Sequence, residues 1–486
     1  MRYAPAFLCT LFLIIPPATA QILTRQFGTS SIDTATSIAV TDSAIYIAGT
    51  SEGTFPGETN SGGLEPFLRK HDKSGAPIWT RQFGTAVEDR AQSVAADDTG
   101  VYVAGYTDGI LPGQVPLGQR DAFLRKYDAN GNILWTRQFG SSAYDYAEAV
   151  ATNSTGVYVA GWTLGSLPGE VASGLGDAYI RKYDTLGNIL WTRQYSAPGG
   201  QTFALKLSLD ASGIYVGGTA LGTFPGTDAK TYDHDSYVRK YSANGDHLWT
   251  RQSSANGDET AAIAADGTGV YLAGTITDSS ITPPLVLSFL HRYTSNGAFL
   301  WSRYIAETGQ YIVTSEVDRI VTAAADTTGV YLGGWNTHQA FTYKYDRNGT
   351  FLWTKPISAF PSVVATGVAI NANSLFVTGF TAGALPGQTN SGSLDAFLLQ
   401  FDTAPSPLRF VPLQPCRAVD TRIGQGFAGA YGPPFLSPNQ PRTIPLRLSP
   451  CALPSHATAF AINATVVPAE PLAYLTIWPD RDPRPL

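Results

Sequence analysis

The sequence predicts an all-β fold: a seven-bladed β-propeller closed by its own N-terminal strand, followed by a small, incomplete all-β module. Three observations lead to this prediction. A strand centred on tryptophan recurs every 52 to 58 residues, two further elements each occur seven times, and the array opens with a strand that its last unit lacks. Such repeats, with four short strands each, are typical of propeller blades.

Residues 1–20 are predicted to be a cleaved signal peptide. They combine Arg2, an apolar run over 4–15 and the small-residue sequence Ala18-Thr19-Ala20. The run is too short to cross a bilayer of about 30 Å, and no later stretch reaches the roughly 20 apolar residues of a spanning helix. We therefore expect a secreted protein, extracellular or periplasmic, without a transmembrane segment.

Residues 21–402 contain the repeat and are predicted to form the propeller. Its first element is centred on Trp79, Trp135, Trp191, Trp249, Trp301 and Trp353, with Leu23 at the equivalent position of the first copy. Its second element is led by Tyr46, Tyr102, Tyr158, Tyr215, Tyr271, Tyr331 and Phe376. The third has the form Asp121-Ala-Phe-Leu-Arg-Lys-Tyr-Asp128. A solenoid is the alternative, but the array lacks the atypical end caps of solenoids.

Each unit is predicted to contain four strands, A to D, at 92–97, 101–107, 122–128 and 133–140 in the second unit. These runs are β-branched and aromatic and are separated by turn residues such as Asp98-Thr99-Gly100. The chain opens with a lone D-type strand, Ile22–Gly28, and the seventh unit stops at Asp402 before any D strand. Pairing the first strand with the strand around 396–402 would close the ring without an unpaired edge.

The repeat resembles the bacterial seven-bladed β-propeller repeat family often labelled SBBP. The resemblance is carried by the Gly-Val-Tyr-Val-Ala-Gly-x-Thr element, by the Leu-Pro-Gly or Phe-Pro-Gly that follows it at 55–57, 111–113, 167–169, 224–226 and 385–387, and by the Asp-Ala-Phe-Leu-Arg-Lys-Tyr-Asp element. It covers about four-fifths of the chain and implies the fold and export, but no common activity. Units five and six lack the Pro-Gly loop, so we expect that face of the ring to be uneven.

Beyond the repeat, residues 403–409 are predicted to be a Pro-rich linker. Residues 410–486 resemble a module recurrent at the C-termini of exported bacterial proteins, and we expect this copy to be truncated. Removal of the signal peptide leaves Cys416 and Cys451, which are predicted to form a disulfide. A two-cysteine metal site is the alternative, but no histidine lies at ligand spacing from either.

Charged residues make up 14% of the chain and the net charge is −6, so no overall electrostatic attraction to nucleic acid is expected. The histidines recur at no fixed position of the repeat and match no metal-ligand spacing, so they are predicted to be surface residues. No nucleophile motif or phosphate-binding loop is present. Catalytic and cofactor-binding residues are therefore predicted to be absent.

One acidic position repeats thirteen residues before the aromatic that leads strand B. It is occupied by Asp33, Asp89, Asp145, Asp258 and Asp318, with Thr202 and Val363 in units four and seven. Near the central channel these groups could form a partial ring that holds a cation, with calcium as the candidate. The favoured alternative is that each aspartate accepts hydrogen bonds from its own D-to-A turn.

Basic residues also repeat. Strand C carries the pairs Arg69-Lys70, Arg125-Lys126, Arg181-Lys182 and Arg239-Lys240, and strand D carries the single arginines Arg81, Arg137, Arg193 and Arg251. We expect them to pack along blade edges and on aromatic rings, with a polyanion-binding belt as the alternative.

The predicted function is a non-catalytic, monomeric binding or interaction scaffold for an extracellular ligand, either glycan or protein. The alternative is a propeller hydrolase or lyase acting on polysaccharide, because the fold does not exclude one. An enzyme should break the repeat with unique acid and base residues that converge on the channel.

Overall fold

A computed structural model describes residues 12–15, 21–227, 234–253, 258–278, 285–305, 318–337, 339–359, 362–403, 409–412, 419–420, 426, 428–432, 444 and 459–461. The chain divides into two compact units. The larger is Gln21–Thr403, and the smaller combines Met1–Ala20 with Ala404–Leu486. Cys416 and Cys451 lie outside the described residues, and so does the predicted disulfide.

The larger unit consists of seven four-stranded antiparallel sheets, which are the blades. Strand β1 (Phe12–Ile15) belongs to the smaller unit, and β2 (Gln21–Phe27) opens the larger one. Blade 1 contains β3 (Asp33–Val40), β4 (Ile45–Ser51), β5 (Glu65–His71) and β6 (Pro77–Gln82). Blade 2 contains β7 (Asp89–Asp97), β8 (Gly100–Thr107), β9 (Asp121–Tyr127) and β10 (Ile133–Phe139). Blade 3 contains β11 (Asp145–Asn153), β12 (Gly156–Thr163), β13 (Asp177–Tyr183) and β14 (Ile189–Tyr195).

The remaining blades follow the same order. Blade 4 contains β15 (Gln201–Asp210), β16 (Gly213–Leu221), β17 (His234–Tyr241) and β18 (His247–Gln252). Blade 5 contains β19 (Asp258–Ala265), β20 (Gly269–Asp278), β21 (Leu285–Thr294) and β22 (Phe299–Ile305). Blade 6 contains β23 (Arg319–Asp326), β24 (Gly329–Trp335), β25 (Ala340–Asp346) and β26 (Phe351–Ile357). Blade 7 contains β27 (Val363–Asn371), β28 (Ser374–Thr381) and β29 (Asp395–Asp402).

The fourth strand of blade 7 is β2, which pairs antiparallel with β29 from Gln21 opposite Phe401 to Phe27 opposite Ala396. The predicted closure by the N-terminal strand is therefore confirmed. The A strands, β3, β7, β11, β15, β19, β23 and β27, each contact the next in a closed cycle. The seven-bladed β-propeller is thus a complete ring with the A strands innermost.

The hydrophobic core lies between the blades because each sheet is covered on both faces by its neighbours. In blade 2 every residue of β8 and β9 is buried, so these strands lack the alternation of a half-exposed sheet. Tyr102 of blade 2 and Tyr179 of blade 3 share one interblade cluster, in which Trp135 packs at the outer edge. Burial on both faces explains the continuous apolar runs in the sequence.

A repeated clamp joins the outer strand of one blade to the C–D turn of the next. In blade 1, the Trp79 indole Nε1 donates to the Ala129 carbonyl at 3.2 Å, and Arg81 Nε donates to the Gly131 carbonyl at 2.9 Å. Gly131 packs on the Trp79 ring, where a Cβ would lie 3.0 Å from the indole. The repeated Trp, Arg and Gly therefore serve blade-to-blade packing.

Two expectations need correction. Strand A of blade 2 begins at Asp89, three residues before its predicted start, because Asp89 and Arg90 pair with Thr107 and Tyr106 of strand B in the same blade. His71, expected at the surface, is 1% exposed. It occupies the position of Tyr127 at the end of strand C, packs on Phe27 and contacts the Gly75 carbonyl through Nδ1 at 3.0 Å.

The smaller unit contains a three-stranded sheet in the order β30 (Arg409–Pro412), β1, β31 (Ala459–Ala461), with both outer strands antiparallel to β1. A 3₁₀ turn spans Gly429–Tyr431. No helix among the described residues combines the length and apolar character that a membrane crossing requires.

Candidate functional site

The repeated aspartates lie at the start of strand A, on the face of the ring that carries the D–A turns and the B–C loops. We call this side the loop face. In three blades one carboxylate oxygen accepts both the backbone N–H and the hydroxyl of the residue four positions earlier. The pairs are Thr29 with Asp33 at 2.5 and 2.8 Å, Thr85 with Asp89 at 2.6 and 2.9 Å, and Ser141 with Asp145 at 2.6 and 3.0 Å. These carboxylates close their own turns.

The other positions of this set are held differently. Thr202 closes its turn through its hydroxyl, which accepts the Ala197 N–H at 2.9 Å. Asp258 accepts the N–H of Ser236 at 3.0 Å, from strand C of the preceding blade. Asp318 accepts hydrogen bonds from the Asn336 amide at 2.9 Å and the Tyr343 hydroxyl at 2.6 Å.

A second carboxylate faces the first across several blade interfaces. Asp121 begins strand C of blade 2, and a methyl group on Gly140 would lie 3.0 Å from its Oδ1 and 2.5 Å from Asp145 Oδ2. The two carboxylates are therefore within about two hydrogen-bond lengths of each other. Oδ1 of each is buried without a partner in hydrogen-bond geometry. Burial raises the pKa of Asp145, and the Asp121 charge raises it further. The structure thus groups these carboxylates by interface, with Asp395 beside Asp33 and Glu65 beside Asp89.

Among the described residues, no three side chains of His, Cys, Asp or Glu are close enough together to hold a metal ion. The cation site at Asp33, Asp89, Asp145, Asp258 and Asp318 stays a prediction. Calcium takes about 6–8 oxygen ligands, so it would need oxygens beyond one facing pair.

The repeated basic residues lie between blades. Arg125 is 3% exposed, and its guanidinium carbon lies 4.0 Å from the centroid of the Phe83 ring of blade 1. Lys126 is 4% exposed and donates to the Thr185 carbonyl of blade 3 at 3.0 Å. Equivalent ring contacts are made by Arg69 on Phe27, Arg181 on Phe139 and Arg239 on Tyr195. Because they are buried between blades, these cations contribute to packing rather than to binding a polyanion.

The repeat breaks at the mouth of the channel on the loop face. There, the residue that follows the repeated aspartate position at the start of each A strand lies opposite a residue near the end of strand B, and we call each such pair a mouth pair. The pairs in blade order are Thr34–Thr50, Arg90–Tyr106, Tyr146–Trp162, Phe203–Thr219, Glu259–Thr275, Arg319–Trp335 and Val364–Phe380. The same pairing of strands A and B therefore carries different side chains from blade to blade.

The mouth pairs of blades 2 to 4 form one aromatic row, which we call the mouth cluster. Tyr106 meets Tyr146 edge-on at 5.0 Å, Tyr146 stacks on Trp162 at 3.9 Å, and Trp162 meets Phe203 edge-on at 5.1 Å. The two edge-on contacts have a geometry that aromatic side chains prefer. Tyr146, Trp162 and Phe203 remain partly exposed, so the row borders solvent at the channel mouth.

Ion pairs flank the mouth cluster. Arg120 lies over the rings of Tyr106 and Tyr146 at 4.2 and 5.2 Å, and it donates to both Asp108 oxygens at 2.5 and 2.8 Å. This bidentate contact raises the pKa of Arg120. Beside it, Arg90 donates to Glu88 at 2.7 Å. Burial raises the pKa of Tyr106 to about 12, which keeps the phenol protonated.

Below the cluster, Glu148 is held in the channel wall by the Gln92 amide at 3.0 Å and the Trp162 indole N–H at 3.2 Å. Burial raises the pKa of Glu148, while the hydrogen bond from the Trp162 indole and the positive charge of Lys206 lower it. Burial also lowers the pKa of Lys206. The channel therefore places an acid and a base with opposed pKa shifts under an aromatic rim.

A shallow pocket of about 460 Å³ lies next to the cluster, between the D–A turn at 85–87 and the B–C loop of blade 2. Its lining includes Val87, Ile110 and Pro116, with Asp108 and Asp121 at its polar side. Sequence reasoning missed both the pocket and the mouth cluster. The available signal was the variation at 90, 106, 146, 162 and 203 within an otherwise regular repeat.

No family model matches the chain, so the resemblance to SBBP repeats stays a prediction. Among curated proteins, the regulatory protein FlaEY of Caulobacter vibrioides is 25% identical over 332 residues, which covers 58% of this chain and 34% of the relative. The chain thus spans about a third of that protein's length.

Two solved structures align with most of the propeller. The WD40 domain of Neurospora crassa Pan2 gives a TM-score of 0.47 at 10% identity and covers 82% of this chain and 98% of that domain. The polysaccharide lyase Uly1 gives 0.46 at 10% identity, with coverage of 81% and 98%. At these values neither structure carries a conclusion about the activity of this chain.

Proposed function

We propose that the protein is an exported, non-catalytic binding scaffold that takes its ligand at the mouth cluster on the loop face. The observation that carries this proposal is the change of the mouth pairs from Thr34–Thr50 in blade 1 to aromatic and cationic side chains in blades 2 to 4. The fold tolerates small residues at this position, so the aromatic row has a purpose beyond closing the ring. Conserving a scaffold while varying its loop-side residues is how many propellers and other folds carry function.

Binding is tested by replacing one ring of the row and its counterpart on the far side of the ring. Trp162→Ala removes the ring that stacks on Tyr146 and is expected to weaken ligand binding at least about tenfold. Trp335→Ala removes the ring at the same position of blade 6 and is the matched control. Both variants are compared with the parent on glycan arrays and on peptide libraries. Equal loss in both variants, or no ligand for the parent, would contradict a site at blades 2 to 4.

A second candidate is a hydrolase or lyase acting on polysaccharide, and one observation favours it. Glu148 and Lys206 have pKa values shifted in opposite directions at the channel wall, as an acid and base of an active site would. Polysaccharide turnover that is abolished by Glu148→Gln and by Lys206→Met would replace the scaffold proposal. A parent that binds polysaccharide without shortening it supports the scaffold.

Export is part of the proposal and is supported by the apolar run over 4–15 followed by Ala18-Thr19-Ala20. Cleavage after Ala20 would remove β1 from the sheet it shares with β30 and β31. N-terminal sequencing of the protein recovered outside the cytoplasm is expected to begin at Gln21, and its sedimentation is expected to be that of a monomer. A chain that keeps Met1 and stays with the cells would contradict export.

A further inference from the structure

In the smaller unit, a piece of the predicted signal peptide is the central strand of a sheet. Strand β1 lies between β30 and β31 and is antiparallel to both. Its four residues, Phe12–Ile15, belong to the N-terminal segment that is predicted to be cleaved after Ala20. Cleavage therefore takes away the strand that joins the other two.

The register shows that both edges of β1 are used in this sheet. All four residues of β1 pair with β30, from Phe12 opposite Pro412 to Ile15 opposite Arg409. The first three residues also pair with β31. Each flanking strand therefore pairs with β1 through its inner edge, and β1 is the strand on which both of these ladders depend.

Removal of β1 leaves a gap between β30 and β31, which we call the strand slot. Backbone N–H and C=O groups on the inner edges of these two strands then lose the partners that β1 provides. Exposed strand edges accept another extended chain by β-strand addition, in which main-chain hydrogen bonds provide the affinity. The strand slot is therefore a binding site that the processed chain has and the unprocessed chain has filled.

The two flanking strands are poorly placed to close the slot by pairing with each other. Both are antiparallel to β1, so they run parallel to one another. They are two strand spacings apart, which is about 10 Å, and would have to approach each other before any hydrogen bond could form. Parallel pairs are also slightly less stable per residue than the antiparallel pairs they would replace. An added strand restores both ladders without this rearrangement.

The chemistry of the occupant follows from the strand that fills the slot in this structure. Phe12–Ile15 consists of one phenylalanine, one leucine and two isoleucines, so its side chains have no polar atom. Leu13 stands opposite Val411 of β30 and opposite Phe460 of β31, which are apolar residue types as well. Cross-strand neighbours of this kind favour aliphatic and aromatic partners over charged ones. The structure thus shows what the slot accepts: an uncharged, apolar β-strand.

We propose that the smaller unit of the exported protein binds an apolar, extended segment of another polypeptide in the strand slot. The inference rests on the export part of the proposed function and is independent of the mouth cluster. The bound segment contributes at least four residues and runs antiparallel to β30 and β31, as Phe12–Ile15 does here. Because signal-peptide removal accompanies export, the slot becomes available only in the mature protein.

The test measures the binding of a separate peptide to the protein by fluorescence anisotropy. The probe is a labelled peptide of residues 10–17, flanked by lysines for solubility, and the control probe carries Leu13→Pro, which removes a backbone N–H that a central strand needs. Three forms of the protein are compared: the mature chain 21–486, the unprocessed chain 1–486, and the unprocessed chain with Leu13→Pro. Melting temperatures check that the propeller is folded in all three.

We expect the mature chain to bind the probe at least about tenfold more tightly than the unprocessed chain, whose tethered β1 competes at a high effective concentration. Leu13→Pro in the unprocessed chain is expected to restore binding, because it weakens the competing strand. The same change in the probe is expected to abolish binding. Equal binding by the mature and unprocessed chains, equal binding of the two probes, or no binding at all would overturn the inference.

The outcomes distinguish this inference from the proposed function. A mature chain that ignores the probe and sediments as a dimer would mean that a second copy fills the slot, which also overturns the inference. Neither result affects the mouth cluster, which Trp162→Ala tests, or export, which N-terminal sequencing tests. An exported protein that keeps residues 1–20 would refute export and this inference together and leave ligand binding at the mouth cluster standing.

Discussion

Asp258 illustrates at the scale of one residue what burial does to a repeated turn carboxylate. It is 0% exposed, and burial raises its pKa to about 6, against the ordinary value of 3.8. The folded protein therefore holds this proton more tightly than the unfolded chain. Burial raises the pKa of Glu65, Asp89 and Asp145 in the same direction. The protonated Asp258 carboxyl therefore contributes stability that is fully present below about pH 4 and is lost as the pH rises through about 6, and the other three carboxyls act in the same direction.

The pH dependence can be measured directly. Asp258→Asn is expected to gain stability relative to the parent as the pH rises from about 4 to about 7, because the parent must give up the Asp258 proton over this range and the variant has none to give up. Asp128→Asn is the control, since the hydrogen bonds of Asp128 with Asn132 lower its pKa, which leaves it ionised across this window. Calorimetry at several pH values provides the measurement. A stability difference between Asp258→Asn and the parent that does not change with pH over this range would contradict the assignment.

Gly140 shows how closely the facing carboxylates are packed. An alanine there would place its methyl group 2.5 Å from Asp145 Oδ2. Because that oxygen is fixed by Ser141, Gly140→Ala is expected to cost about 1–3 kcal/mol of unfolding free energy. Gly113→Ala is the comparison, since nothing lies within 4 Å of its Cβ and only its φ of +76° opposes alanine. Urea denaturation would contradict this reasoning if Gly113→Ala were the more destabilising.

At the scale of secondary-structure elements, neighbouring blades are joined by contacts between a strand of one blade and a turn of the next. Strand D of one blade presents Trp and Arg, and the C–D turn of the next presents carbonyls and a glycine. Arg137 donates to the Gly187 carbonyl at 2.9 Å, and Trp135 donates to the Thr185 carbonyl at 3.1 Å. At blade 6 the next blade has no C–D turn, and Lys355 donates instead to the Asp402 carbonyl at 2.6 Å. Blade 6 therefore has a lysine in place of the repeated arginine because blade 7, whose fourth strand is β2, has no C–D turn.

The clamp is expected to contribute measurably to stability. Arg137→Ala leaves the Gly187 carbonyl without its charged donor and should cost about 1–3 kcal/mol of unfolding free energy. Arg90→Ala is the matched control, because that guanidinium pairs with Glu88 at the surface, where such a pair contributes about 0–1 kcal/mol. Chemical denaturation of both variants measures the difference. Equal effects would mean that the clamp arginine acts as an ordinary surface charge.

On the scale of the whole molecule, a single strand pairing decides whether the ring is closed. Strand β2 completes blade 7 and so joins the two ends of the propeller chain. Without β2, the outer edge of β29 would be open, and Phe27 would leave the cluster it shares with Phe67 and Leu398. Loss of closure therefore removes both edge hydrogen bonds and core packing.

Moving β2 to another place in the chain tests whether its pairing with β29, rather than its position at the N-terminus, closes the ring. In one variant Gln21–Gly28 is deleted, and a large drop in melting temperature with aggregation is expected because β29 becomes an open edge. In the other, the same eight residues are moved to follow Asp402 through the Ala129-Asn130-Gly131-Asn132 turn of blade 2. That variant is expected to melt close to the parent. If it behaves like the deletion, pairing with β29 is not what β2 contributes.

The repeat made the propeller predictable, because three elements in seven copies determine both the strands and their number. The start of strand A was predicted three residues late because Asp89 and Arg90 have low strand propensity, and only their pairing with Thr107 and Tyr106 of strand B includes them in the sheet. His71 was misassigned because its burial follows from alignment with Tyr127 rather than from its residue type. The mouth cluster was missed because Tyr106, Tyr146 and Trp162 are adjacent only once the ring is closed.

The pairing of Gln26 with the neighbourhood of Asp395, 369 positions away, also sets an order of events in time. During synthesis the first propeller strand to leave the ribosome finds its partner only when the last one has been made. Six blades can assemble from consecutive residues as they emerge, while the seventh waits for both ends. Until then the propeller is an open arc, so closure of the ring is the last step in the assembly of its seven blades.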